Sequence, residues 1–211
     1  MATEAAAVEA ATAVEVDAAG DANPLLADVS FPHFDAIKPE HVVPGVRRLL
    51  AELHSEIDAL EAAVVGCQPS WGGLVEPLER IGDRHQRIWG IVSHLKGVKD
   101  SPELRKAVEE VQPENVKLSL RLSQSKPLYT AFKALRDGPE WSSLSAAQQR
   151  IVDNELRDFV LGGVALEGEA KERYNAIQQE LTQLATKFSN NVLDATKSFK
   201  KLLTDPADVA A

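Results

Sequence analysis

The chain has one cysteine, one methionine and two tyrosines in 211 residues, and aromatic residues make up only 5% of it. A lone thiol cannot close an internal disulfide, so burial must hold the fold and a reducing compartment suits it. Nothing cationic adjoins Cys67 in sequence to favour its thiolate. No apolar run approaches the ~18 residues needed to cross a bilayer as a helix, which leaves no membrane partner. Strict alternation of apolar and polar residues, the mark of a strand, is missing over any useful length. The motif H-E-x-x-H is missing too. That motif sets two zinc-ligating histidines on one helical face with a glutamate to activate water. The five histidines here are His33, His41, His54, His85 and His94, and none is followed by glutamate. His85 and His94, nine residues apart, fall about half a turn out of phase on one helix and cannot grip a single ion. No catalytic residue and no metal ligand is therefore assigned, no cofactor is expected in this chain, and substrate-binding residues stay unassigned.

Basic charge is also scarce. The net charge is −9, which excludes a nucleic-acid partner because phosphate binding needs a basic face. Seven acids and no lysine or arginine precede Lys38, so the excess sits near the start. Residues 1–22 are alanine-rich and acidic, with Glu4, Glu9, Glu15, Asp17 and Asp21, and read as a disordered tail. They resemble neither an arginine-rich transit peptide nor a secretory signal. The cytosol is the expected address, with chloroplast or mitochondrion as the alternative. Residues 23–205 read as one helical domain, and 206–211 as its carboxyl-terminal end.

What the sequence has in quantity is helical periodicity. The fold class expected is all-α, an array of about six packed helices with long antiparallel pairs. A first helix starts near Val43, tolerates Pro44 in its opening turn and runs to Val65, with a seam of Val46, Leu50, Leu53, Ile57, Leu60 and Val64. Arg47, Glu52, Glu56 and Glu61 point outward. Ser70 caps a second helix carrying Trp71, Leu74, Leu78, Ile81, Ile88, Val92 and Leu95, in which Pro77 either makes a kink or marks the true start. Ser101 and Pro102 open a third, with Leu104, Val108, Val111, Leu118 and Leu122, where Pro113 forces a kink or a one-residue break. Pro127 opens a short fourth helix lined by Leu128, Phe132 and Leu135. Ser145 and Gln148 form a capping box for a fifth, which uses Val152, Leu156 and Phe159 and ends at Gly162 and Gly163.

The longest segment, Glu167 to Phe199, appears as the element around which the rest is organised. Tyr174, Ile177, Leu181, Leu184, Phe188, Val192, Ala195 and Phe199 follow at steps of three and four. The rod would be roughly 48 Å long, and burial of the eight side chains would contribute on the order of 10 kcal/mol before entropy is subtracted.

Several tempting features take plain readings. His85 fills the gap in its seam as a core or boundary histidine satisfied by hydrogen bonds. Trp71, Trp89 and Trp141 are packing anchors, not a stacking platform. Gly162, Gly163 and Gly168 lack the strand and lysine of a phosphate cradle. Glu109, Glu110 and Glu114, like Glu167 and Glu169, read as solvated helix surface. Lys187, Lys197, Lys200 and Lys201 give the last helix a basic end that suits its dipole.

The segment TKFSNNVLDATKSF, Thr186 to Phe199, resembles the thimet oligopeptidase and oligopeptidase A family of zinc metallopeptidases in its plant-type branch. So do NPLL from Asn23, FPHFDAIKPEHVVPGVRRLL from Phe31 and SWGGLVEPLERIGDR from Ser70. WGIVSHLKGVKDSPELR from Trp89, SQSKPLYTAFKALRDGPEW from Ser123 and RIVDNELRDFVLGGVALEGEAKER from Arg150 continue the resemblance in the same order. It covers Asn23 to about Asp205 and falls within the amino-terminal third of such enzymes. It implies a helical wall of a channel that admits short peptides, with zinc bound only in full-length members. Because the chain ends at Ala211 where family members would continue, a truncated paralogue, a splice product or an incomplete gene model is expected. The alternative is a stand-alone helical module that binds peptides, self-associates or pairs with a full-length relative.

Overall fold

The computed structural model describes residues 23–205, so the tail expected over 1–22 and the end at 206–211 lie outside it. After a 3-10 turn at Pro24–Leu26 come α1 (Pro39–Val64), α2 (Glu76–Val98), α3 (Pro102–Ser123), α4 (Lys126–Arg136), α5 (Ala146–Leu161) and α6 (Gly168–Ser198), with a second 3-10 turn at Pro139–Ser143. No strand occurs among the described residues, and the class is all-α.

The core is organised around α1, not around the last helix. Val42, Val46, Leu49, Leu50, Leu53, Ile57, Leu60 and Val64, at steps of three and four, are all buried. They pack against α2, α3, α4 and the first 3-10 turn. The helix starts four residues earlier than the periodicity suggests. Pro39 occupies its first position, where a missing N–H has no consequence, and the His41 ring accepts the Lys38 backbone N–H at 3.1 Å. Pro44 consequently lies in the second turn.

Hydrogen bonds and ion pairs give the directions of the helices. Arg47 meets Glu110 and Glu114, and farther along Arg121 meets Asp58 and Glu61, so α1 and α3 are parallel. α2 leads from the end of α1 back to the start of α3 and so runs the other way, held at its middle by Arg84 on Glu52 and Glu56 and by His85 on Asn115. α6 is antiparallel to α3, with Gln124 on Asn175, Gln112 on Thr186 and Arg105 on Asp194. The acidic and basic residues beside the α1 seam thus do more than face water. They form the cross-helix ties of the first three helices, and Glu110 and Glu114 are not merely solvated.

Local stops follow the turn chemistry. Ser70 accepts the Gly73 N–H at 3.1 Å and opens one π turn, Trp71–Val75, after which Pro77 stands second in α2 and marks its true start. Of the kink or one-residue break expected at Pro113, the break does not occur, and α3 is continuous through it. Buried Val111 and Asn115 flank the proline and hold the helix across the one missing hydrogen bond. Ser145 and Gln148 make the capping box before α5. Gly163, at φ 85, takes the left-handed conformation that turns the chain from α5 toward α6.

Candidate functional site

The 31 residues of α6 bury no side chain, which overturns the expectation that their seam lies in the core. The reason is visible in what joins the helix to its neighbours. Tyr174 donates to the Leu161 carbonyl at 3.1 Å, and Gln124 donates to Asn175 at 2.8 Å and to the Gly162 carbonyl at 3.1 Å. Gln179 donates to the Pro113 carbonyl at 3.3 Å, and Gln112 to the Thr186 hydroxyl at 2.5 Å. Arg105 grips both Asp194 oxygens at 2.6 and 3.1 Å, while Lys197 reaches Asp100 at 2.6 Å. Every one of these ties is polar. They select the amide and hydroxyl face of α6 for contact with α3.

The apolar side chains then have to point elsewhere. Leu184 and Phe188 lie two residues beyond Thr182 and Thr186, about 200° round a helix of 3.6 residues per turn. Leu181 is 54% exposed, Leu184 55%, Phe188 71% and Phe199 75%, with Ile177 and Val192 also open. From Ile177 to Phe199 the stripe is about 33 Å long. An apolar face of that length is more than isolated surfaces usually carry. It contains no nucleophile, acid or base.

Beside it, α2, α3 and α6 border a groove of about 420 Å³ lined by His85, Trp89, Gln112, Asn115, Tyr174 and Gln178. His85 Nε2 and Asn115 Oδ1 are 2.7 Å apart, and the Asn115 amide donates to the Val111 carbonyl at 3.1 Å. His85 is thus the satisfied boundary histidine that its place in the seam implied. The others are dispersed. His41 caps α1, the His54 ring contacts Arg121 at 2.8 Å, and His94 packs on Phe34 with centroids 5.3 Å apart. Burial first, then the Arg121 charge, keeps the His54 imidazole below its ordinary pKa. Among the described residues no three of His, Cys, Asp and Glu could hold a metal ion. The zinc that the resemblance implies for full-length enzymes does not fit the described residues.

The remaining residues singled out in the sequence have structural employment. Trp71, Trp89 and Trp141 pack partly buried against the core. Gly162 lies so close to α3 that a Cβ there would meet the Ser123 Cβ at 2.5 Å. Glu167 pairs with Lys126 at 2.5 Å, and Cys67 is exposed. Lys197 is more than a helix-dipole partner, because it reaches nearly buried Asp100.

No described helix is long and apolar enough to cross a membrane. Residues 46–171 match the family model described as the neurolysin and thimet oligopeptidase amino-terminal domain. The chain is 56% identical over 187 residues to the probable cytosolic oligopeptidase A of Arabidopsis thaliana, covering 89% of this chain and 26% of that protein. With the organellar oligopeptidase A of chloroplasts and mitochondria in the same plant the identity is 55%, over 89% of this chain and 23% of the relative. Oligopeptidase A of Salmonella typhimurium is 45% identical, over 89% and 27% respectively. The chain spans about a quarter of the length of these relatives.

Proposed function

The chain belongs to the neurolysin and thimet oligopeptidase family, in its amino-terminal domain, and from that premise we propose that it is the helical channel-wall segment of an oligopeptidase A-type peptidase that degrades short peptides. The exposed stripe of α6 is the observation that carries this reading. In a longer enzyme a zinc-bearing portion would cover Leu181, Leu184 and Phe188 and place α2, α3 and α6 beside the peptide path. Peptide-bond chemistry would then belong wholly to that portion. The cytosol is the proposed location, with a chloroplast or mitochondrial form as the alternative, in keeping with the names of the two plant relatives.

Complementation tests the reading. The Arabidopsis cytosolic relative, expressed without its matching first quarter, is mixed with this chain and a quenched-fluorescence peptide. Cleavage is expected only in the mixture and is lost when the chain carries Leu184→Asp with Phe188→Asp. No association and no cleavage at tens of micromolar of both parts would refute it.

The same stripe also favours a second reading, a stand-alone helical module that pairs with a full-length relative as a regulator. Binding to the intact relative, with altered turnover, distinguishes it from complementation.

A further inference from the structure

On the side of the molecule formed by α2, α3, α4 and α5 there is a cavity of about 410 Å³ with an apolar wall. Leu128 and Phe132, fully buried, close its floor. Leu78, Leu122 and Ile151 are only half-buried and would gain cover from an occupant. The charged groups lining it are Glu79 of α2 and Glu155 and Asp158 of α5; no lysine, arginine or histidine takes part. Asp158 is engaged by Arg157 at 2.9 Å. Glu155 and Glu79 have no hydrogen bond or ion pair among the described residues. Burial, then the charges of Asp158 and Glu79, push the Glu155 carboxyl above its ordinary pKa.

This combination selects its occupant. A wholly apolar ligand would strip water from the Glu155 carboxylate and leave it without a counter-charge. An anion would be repelled by the three carboxylates. A bare metal ion finds no group of three ligands among the described residues. A long aliphatic stem ending in a cation satisfies both the wall and the rim, as lysine and arginine side chains do elsewhere on protein surfaces. Glu79 and Asp158 are exposed, so the rim opens to solvent and the rest of a peptide can leave the cavity there.

We propose that this cavity binds a lysine or arginine side chain of a peptide, with its methylenes on Leu78, Leu122 and Ile151 and its cationic head at Glu79 and Glu155. No residue of α6 lines the site, which does not depend on the reading given to the α6 stripe.

The test uses the full chain, isotope-labelled, titrated with acetyl-Leu-Lys-Leu-amide and with the same peptide carrying norleucine in place of lysine. Saturable shifts of backbone signals are expected at Leu78, Leu122, Ile151 and Glu155 with the lysine peptide. Loss of the charge-assisted contacts, either through norleucine or through Glu79→Gln with Glu155→Gln, should weaken binding roughly tenfold. The double variant removes two carboxylates that have no partner among the described residues, and its own spectrum checks that the fold is kept. Equal binding of the norleucine peptide, shifts centred on other residues, or no saturable shift at millimolar peptide would overturn the proposal.

Discussion

Lys197 and Asp100, 97 residues apart, meet at 2.6 Å and fasten the far end of α6 to the corner between α2 and α3. The Asp100 side chain is only 3% exposed and also receives both ends of the Arg105 guanidinium, at 2.8 and 2.6 Å. Arg105 in turn holds Asp194. Four charges from three segments therefore determine how α6 lies on α3, and so which of its faces is left open.

Asp100→Asn is expected to loosen the carboxyl-terminal half of α6 while leaving α1 to α5 intact. Hydrogen exchange over residues 186–198 should accelerate, with little change at Leu53 or Phe132. The bond from Arg105, opposed by burial and reinforced by Lys197, holds the Asp100 carboxyl well below the usual carboxylate range. A depressed folded-state pKa gives stability that is complete above the unfolded value and is lost as pH falls toward the folded one. The difference between wild type and variant should therefore be flat from neutral pH down to about 4 and shrink below it, given an ordinary aspartate pKa near 3.9. Equal exchange in the two proteins would show that the cluster is ornamental to α6.

Core and stripe substitutions should separate cleanly. Phe132→Ala empties a fully buried site where its ring lies 5.7 Å from that of Phe159, and the expected loss is about 3–5 kcal/mol in denaturant unfolding. Leu184→Ala on α6 removes a side chain already in water, and surface changes of that kind stay within about 0.5 kcal/mol. A large loss at Leu184 would mean that the stripe is packed in the isolated chain.

That contrast also measures what the sequence could convey. In α1 to α5, steps of three and four picked out residues such as Leu53, Val92, Val111 and Phe132, all fully buried. The same periodicity in α6 was equally regular and gave the wrong centre for the core. Periodicity reports that one face of a helix is apolar, but not what covers it. Ties such as Arg121 to Asp58, separated by 63 residues, leave no local trace either. Glu155 likewise carries no local mark that sets it apart from other helix acids, since only the packing of four helices sets it beside Leu122 and Phe132.

The isolated chain should neither cleave peptides nor retain stoichiometric zinc. His33, His41, His54, His85 and His94 lack ligand spacing, and the described ones do not converge with acids. A quenched-fluorescence peptide and metal analysis after dialysis check this. Chelator-sensitive cleavage that zinc restores would refute it.

Self-association of the isolated chain is the strongest expectation about its behaviour in solution. Leu181, Leu184, Phe188 and Phe199 are each more than half exposed, and leaving such a side chain in water forgoes roughly 1.5–3 kcal/mol relative to full burial. Covering even part of the stripe on a second molecule recovers some of that energy without disturbing α3, because the contacts with α3 use the opposite, polar face. Sedimentation velocity at micromolar concentration should show concentration-dependent association, accompanied by binding of a dye that reports apolar surface. Phe188→Asp or Phe199→Asp should weaken both and leave the helical circular dichroism unchanged, since neither ring is part of the core. A compact monomer at every concentration, without dye binding and indifferent to either substitution, would mean that the stripe is covered from within the chain and that no partner is needed to explain it.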